Sequence, residues 1–268
     1  MIPNPILKVL SSMAASKVRC LLMGGQACVF YGAAEFSRDS DFVLLADPEN
    51  LKRLKLALDA LHAEVIAVPP FEASYLEKGH ALHFRCAHPE CEGIRVDVMS
   101  VMRGVDPFDS LWQRRATVEL PDGTICDLLS IADLVNAKKT QRDKDWPMIR
   151  RLLEADYFAH RNPTPDAARV RFWLQELRTP ELLISVCSEF HDIASEQEKL
   201  RPLLRMALER EIEALEEALF LEEREERRKD REYWAPLKQE LEMLRRQRFI
   251  TEIDPAPQEP KDATDIGD

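Results

Sequence analysis

The stretch Leu22-Met23-Gly24-Gly25-Gln26-Ala27, joined a little later by Ser37-Arg38-Asp39-Ser40-Asp41-Phe42-Val43-Leu44, decides how the rest of the chain is read. The apolar run Arg19 to Met23 predicts a short buried strand ending at Gly24-Gly25, with a short helix from Gln26 to Tyr31 that Gly32 stops. A strand that turns through glycines into a helix exposes backbone N–H groups beside a positive helix end, which suits an anionic phosphate. A second strand is predicted over Asp41 to Ala46. Asp39 and Asp41 are two residues apart, so on a strand their carboxylates share one face and can share a divalent metal.

Working outward, Ile94-Arg95-Val96-Asp97-Val98-Met99 sets a single carboxylate in the middle of an otherwise apolar strand. A carboxylate facing inward there is costly unless it is paired or metal-bound. Two carboxylates on one strand and a third on a neighbour would make a site for two Mg²⁺ ions in a phosphoryl or nucleotidyl transfer. Further strands are expected over Glu64 to Val68, Ala81 to Cys86 and Gly93 to Met99, and a hairpin from Ala116 to Leu128 turns at Asp122-Gly123. Asn4-Pro5 is expected to cap a helix to about Ser16, and Asp47-Pro48 a helix with Leu51, Leu54, Leu58 and Leu61 on one face. Ser130 and Asp133 make a capping-box-like start to a helix carrying Lys138, Lys139 and Arg142, and Asp145 is expected to cap the next, to about Phe158.

These elements predict an α+β fold, a mixed sheet flanked by helices, over residues 1–160. Asn162-Pro163-Thr164-Pro165 closes it. A helical region is expected over 161–250, with a helix start at Thr179-Pro180, a Leu-rich helix from Pro202 to Leu221 and a sign-alternating run, Glu222 to Glu232, read as a solvated helix face. Residues 251–268 are Pro-rich and acidic and are expected to form a disordered tail.

The 268 residues are 45% hydrophobic and 32% charged, the composition of a soluble globular protein. A net charge of −11 disfavours nonspecific coating of nucleic acid, which needs a positive face. No run approaches the roughly 20 apolar residues of a membrane span, and the N-terminus does not match a secretory signal. A cytoplasmic protein with reduced cysteines is expected. His83, Cys86, His88 and Cys91 lie near one another, but their spacing matches no strong zinc pattern, and packed thiols with a loop histidine are expected instead. Asp106-Pro107 reads as a turn into a short helix whose Phe108 and Trp112 pack on the sheet, with Trp112 or Arg114 as an alternative base-stacking surface.

Taken together, Gly24-Gly25, Ser37-x-Asp39-x-Asp41, Asp97 and the basic segment Lys138 to Lys144 resemble the nucleotidyltransferase superfamily, the fold of DNA polymerase β and of aminoglycoside nucleotidyltransferases. Within it the chain is most similar to the AbiEii-type bacterial toxin branch, over residues from about 19 to 158. The resemblance implies that Asp39, Asp41 and Asp97 are catalytic and hold Mg²⁺, two ions in all. It also implies that Gly24, Gly25 and Ser37 contact an NTP, and that Lys139, Arg142 or Lys144 faces its triphosphate. Glu35 departs from the branch, which has Arg there, and this bears on the substrate more than on the metal. The implied activity is transfer of NMP from NTP to a hydroxyl acceptor on RNA, protein or a small molecule, with a toxin-like role implied by the branch. The alternative is a catalytically silent module that binds nucleotide or, through its C-terminal helices, a protein partner.

Overall fold

Leu21 and Leu22 are fully buried, and the strand that carries them, β1 (Cys20–Met23), is correspondingly central. The computed structural model describes residues 4–253. Seven strands form one mixed sheet in the order β3-β4-β5-β2-β1-β7-β6, comprising β1, β2 (Asp39–Leu44), β3 (Ala63–Val65), β4 (Leu82–Cys86), β5 (Arg95–Met99), β6 (Ala116–Glu119) and β7 (Ile125–Leu128). Strand β1 runs antiparallel to β2 and parallel to β7, whereas β2 and β5 are parallel. The α+β class expected from the sequence is therefore the one observed, and the β6–β7 hairpin turns where Asp122-Gly123 predicts it.

Helices α1 (Asn4–Ala15), α2 (Gly24–Phe30), α3 (Pro48–Ala60), α4 (Ala73–Lys78), α5 (Phe108–Gln113), α6 (Ile131–Ala137) and α7 (Asp145–His160) flank the sheet. Asp47 caps α3 as its position before Pro48 predicts, accepting from the Glu49 and Asn50 amides at 2.9 Å. Of the apolar stripe read from the sequence, Leu54, Leu58 and Leu61 are buried and Leu51 is half-buried. Helices α8 (Ala167–Glu176), α9 (Pro180–Glu189), α10 (His191–Gln197), α11 (Leu204–Glu209) and α12 (Ile212–Ile253) complete the chain.

Several boundaries differ from expectation. The glycine pair opens α2 rather than forming a separate turn before it. Strand β2 starts two residues early, so both aspartates of the pair lie on it. Helix α6 ends at Ala137, which leaves Lys138 to Lys144 as the connection into α7 and not as a helix face. Asp145 is the first residue of α7 and buried, its carboxylate bonded by Thr140 Oγ1 (2.6 Å) and Arg142 Nε (2.7 Å). The single helix expected from Pro202 to Leu221 is broken by Arg210, which adopts a left-handed conformation at φ 59°. Helix α12 continues through Ile253, past the expected start of the tail, and residues 254–268 lie outside the described residues.

The run Glu222 to Glu232 is only half solvated. Arg228 pairs with Glu225 on the outer face, but Glu222, Glu226 and Asp230 turn inward. Asp230 is 2% exposed, accepts from the Gln141 amide at 2.8 Å and contacts Arg103 Nε at 3.3 Å. Glu240, farther along α12, accepts from Lys78 at 2.6 Å and meets His80 Nε2 at 2.8 Å. Helix α12 is thereby pinned across the sheet domain by ion pairs at two heights. Among the described residues no helix is long and apolar enough to cross a membrane.

Removing the Asp230 carboxylate leaves Arg103 and the Gln141 amide without it, and such losses cost about 3 kcal/mol. Asp230→Ala should lower the thermal midpoint by about 6–12 °C. An unchanged midpoint in a thermal melt would show that α12 is not held through this residue.

Candidate functional site

Register places the acidic residues. In the parallel β2–β5 pair Asp41 stands opposite Asp97 and Asp39 opposite Arg95, while Met23 on β1 faces Asp41 and His83 on β4 faces Asp97. Directly opposed residues share a sheet face, so His83, Asp97, Asp41 and Met23 form one row across four strands, with Arg95 and Asp39 in the next. Asp39, Asp41 and Asp97 therefore share one face of the sheet, but the three-carboxylate cage expected from the sequence is not assembled among the described residues.

The start of α2 is moulded to Asp41. Gly24 has φ +67°, and a Cβ placed on it would lie 1.9 Å from Asp41 Oδ2. Only a residue without a side chain admits the carboxylate there. A Cβ on Gly25 would come 2.7 Å from Ser37 Oγ, and Ser37 donates to the Asp39 carbonyl at 3.2 Å, which ties the loop before β2 to the glycine pair. Glu35 is exposed on that loop.

Burial, followed by the negative charge of Asp97, pushes the Asp41 carboxyl up to about 6; Lys138 opposes this, Asp39 adds to it, and the Gly25 amide lowers it. Asp97 differs. Burial also raises it, but hydrogen bonds and charge from His83 and Arg95 win and hold it below the ordinary carboxylate range. Arg95 donates through Nε to Oδ1 at 2.8 Å and through Nη2 to Oδ2 at 2.7 Å, and His83 Nδ1 lies 2.9 Å from Oδ1. Both oxygens of Asp97 are therefore engaged.

The basic residues divide. Arg142 lines the same cavity as Asp41 and Asp97, although its Nε is bonded to Asp145. Lys139, expected to face a triphosphate, instead donates to Glu176 on α8 at 2.7 Å. Lys144 is exposed at the start of α7 and does not line that cavity. Sequence reasoning chose the wrong neighbour, because Lys138 is the buried lysine whose charge acts on Asp41, its Nζ 3.5 Å from Asp145 Oδ1. It also passed over Arg95, which strand alternation puts on the face of Asp97.

The cavity over these groups has a volume of about 280 Å³ and is closed on one side by Thr140, Gln141 and Arg142 and on another by Asp230 and Trp234 of α12. Its apolar wall includes Met23, Val98 and Met99. Helix α12, assigned from sequence to a separate helical region, thus contributes to the site.

Hard carboxylate oxygens are the donors Mg²⁺ takes, and the raised Asp41 marks negative charge not fully neutralised by the chain. Asp39 and Asp41 fit a hard divalent ion on those grounds. Among the described residues, however, no three His, Cys, Asp or Glu side chains are grouped closely enough to hold one. His83 is committed to Asp97, His88 accepts from the Glu90 amide, and Cys86 and Cys91 are buried. All six cysteines are free. Burial pushes Cys28 up to about 11 and Cys126 up to about 12, which leaves them protonated near neutrality. Phe108 and Trp112 stack on each other and carry Arg19 over their rings, and Arg114 is bonded to Asp133, so these groups are occupied within the fold.

No protein-family model matches the chain, and no curated protein matches it in sequence.

The folded chain binds the Asp41 proton more tightly than the unfolded chain, so ionising it lowers stability as pH rises from the ordinary 3.8 through about 6. The shift is equivalent to about 3 kcal/mol above that range. Without divalent ions near neutral pH, Asp41→Asn should melt several degrees above the parent, and the gap should close below about pH 4. Equal midpoints throughout a pH series of melts would refute the assigned environment.

Proposed function

We propose that this protein is a Mg²⁺-dependent nucleotidyltransferase that moves an NMP from an NTP to a hydroxyl acceptor. The observation that carries the reading is the row of Asp97 and Asp41 on adjacent strands, with Asp41 lodged against Gly24 at a strand-to-helix junction. Two close carboxylates beside helix-start amides match the needs of the reaction, in which a cation and a polyphosphate must meet.

In the transfer the acceptor oxygen bonds to the α-phosphorus, the bond to the β-phosphate oxygen breaks, and pyrophosphate leaves. Mg²⁺ would be held by Asp39 and Asp41, with Asp97 as a further donor once Arg95 and His83 release it, and would supply charge neutralisation at the reacting phosphate. The α2 amide at Gly24 binds a phosphate oxygen, the Gly25 amide being held by Asp41, and Arg142 is the cavity's exposed cation for the departing pyrophosphate. Because Arg95 stabilises the ionised form of Asp97, that carboxylate is a weak base for the hydroxyl proton. The acceptor class follows only from the resemblance, with RNA and protein hydroxyls favoured there and small molecules as the variant.

A second reading has an observation in its favour. Arg95 occupies both oxygens of Asp97 and so takes the place of a cation there. On that reading the chain is a silent member that binds nucleotide or a protein partner without turnover.

Two measurements decide. Incubation with Mg²⁺ and each NTP labelled at the α-phosphate, in the presence of cellular RNA and protein, should transfer label and release pyrophosphate, and Asp41→Asn should reduce both at least 100-fold. Labelling that survives in Asp41→Asn removes the mechanism; nucleotide binding with no pyrophosphate from the parent supports the silent module. Separately, Arg95→Ala frees Asp97 and should tighten Mn²⁺ binding at least tenfold by calorimetry. Unchanged or weaker affinity would mean that Asp97 is not a ligand.

A further inference from the structure

Trp234 of α12 lines the cavity over the aspartates. Four residues before it, Asp230 is buried and tied to the Gln141 amide, and three residues after it, Leu237 is buried beside Gly79. Residues three and four apart share a helix face, so all three look the same way. Trp234 is the largest of them, yet it is only half-buried, because it faces the cavity. The ring is held in place all the same. Tyr233 meets it almost perpendicularly, at 88° and 5.5 Å between centroids, and the Tyr233 hydroxyl lies over Gly79, where a Cβ would come within 2.9 Å of it. Glu240, paired with Lys78 and His80, fixes the helix beyond. An aromatic surface fixed by its neighbours and open on a cavity loses little conformational freedom when it takes a ligand.

The chemistry around Trp234 selects a flat, uncharged partner. Asp230 has each carboxylate oxygen engaged, one by the Gln141 amide at 2.8 Å and the other by Arg103 at 3.3 Å, so it offers an incoming group no free charge. Met23 and Met99 line the same cavity, and thioether side chains adapt their shape to a ring. The volume, about 280 Å³, is just under the usual range for small-molecule sites, about 300–1,000 Å³. It suits the ring end of a nucleotide and leaves the polyphosphate to extend toward Gly24 and the start of α2.

We propose that Trp234 is the surface on which the base of the bound nucleotide stacks. The identity of the ligand rests on the nucleotidyl-transfer reading, whereas the stacking surface rests on the cavity and the pinned helix. Every base has a π-face that an indole can cover, so the effect belongs to nucleotides as a class. Trp234 then binds substrate without touching the reacting phosphate, and α12 supplies affinity to a site whose other residues come from the sheet and the Thr140 to Arg142 loop.

The test uses the full chain labelled with 5-fluorotryptophan, its four tryptophan signals read by fluorine NMR and that of Trp234 assigned by its loss in Trp234→Phe. ATP with Mg²⁺ should shift this signal saturably, and inorganic tripolyphosphate with Mg²⁺ should not. By calorimetry, ATP should bind at least tenfold more weakly to Trp234→Leu than to the parent, and within about threefold of the parent to Trp234→Phe, which keeps an aromatic face. Should the Leu variant fail to fold, the pattern of shifts in the parent decides alone. A Trp234 signal that ATP leaves in place, a shift that tripolyphosphate reproduces, or unchanged affinity in Trp234→Leu overturns the proposal. The two readings fail separately. Pyrophosphate release by the parent with an ATP affinity indifferent to Trp234 discards the stacking surface and keeps the transferase. Binding that depends on Trp234 with no pyrophosphate release keeps the stacking surface, in a silent nucleotide-binding module.

Discussion

The structure depends on one steric and electrostatic constraint, the fit of the Asp41 carboxylate into the space left by the missing side chain of Gly24. Because Gly24 begins α2 without an intervening loop, the carboxylate on β2 is held next to the first amides of that helix. Parallel pairing with β5 then puts Asp97 opposite it. Two negative charges share a face, and the chain answers them asymmetrically, giving Arg95 and His83 to Asp97 but the Lys138 charge and the Gly25 amide to Asp41. A carboxylate left unstable in this way is where the proposed Mg²⁺ would act.

Helix α12 walls this patch of sheet on one side. The ion pairs from Glu226 and Asp230 to Arg103, and from Glu240 to Lys78 and His80, reach residues on both sides of β5, so the helix spans the sheet's acidic end and brings Trp234 to it. The Gln141 amide bonded to Asp230 and the Trp146 indole bonded to Thr140 hold the same short segment from opposite directions. That segment, Lys138 to Lys144, lends Thr140, Gln141 and Arg142 to the cavity over the aspartates.

Much of the site could be read from the sequence because its signals are local. A glycine pair after an apolar run, two aspartates at strand spacing and an isolated aspartate in a third apolar run each specify a geometry within a few residues. The α3 cap at Asp47 and the Asp122-Gly123 hairpin are legible for the same reason. The failures concern direction and distance. Ending α6 at Ala137 decides whether Lys138 or Lys139 turns inward, and adjacent residues on a helical path point about 100° apart, so a boundary error of one residue exchanges them. Arg95 was within reach of strand alternation. Asp230 and Trp234 were not, since nothing in a sign-alternating helix marks which turn will meet the sheet.

The most direct test of the central claim is a carbon-detected NMR titration of the Asp41 carboxyl with and without Mg²⁺. The account predicts a midpoint near 6 in the free protein, in keeping with burial beside Asp97, that falls by at least one pH unit when Mg²⁺ is added. A midpoint at the ordinary value for aspartate, indifferent to Mg²⁺, would contradict it.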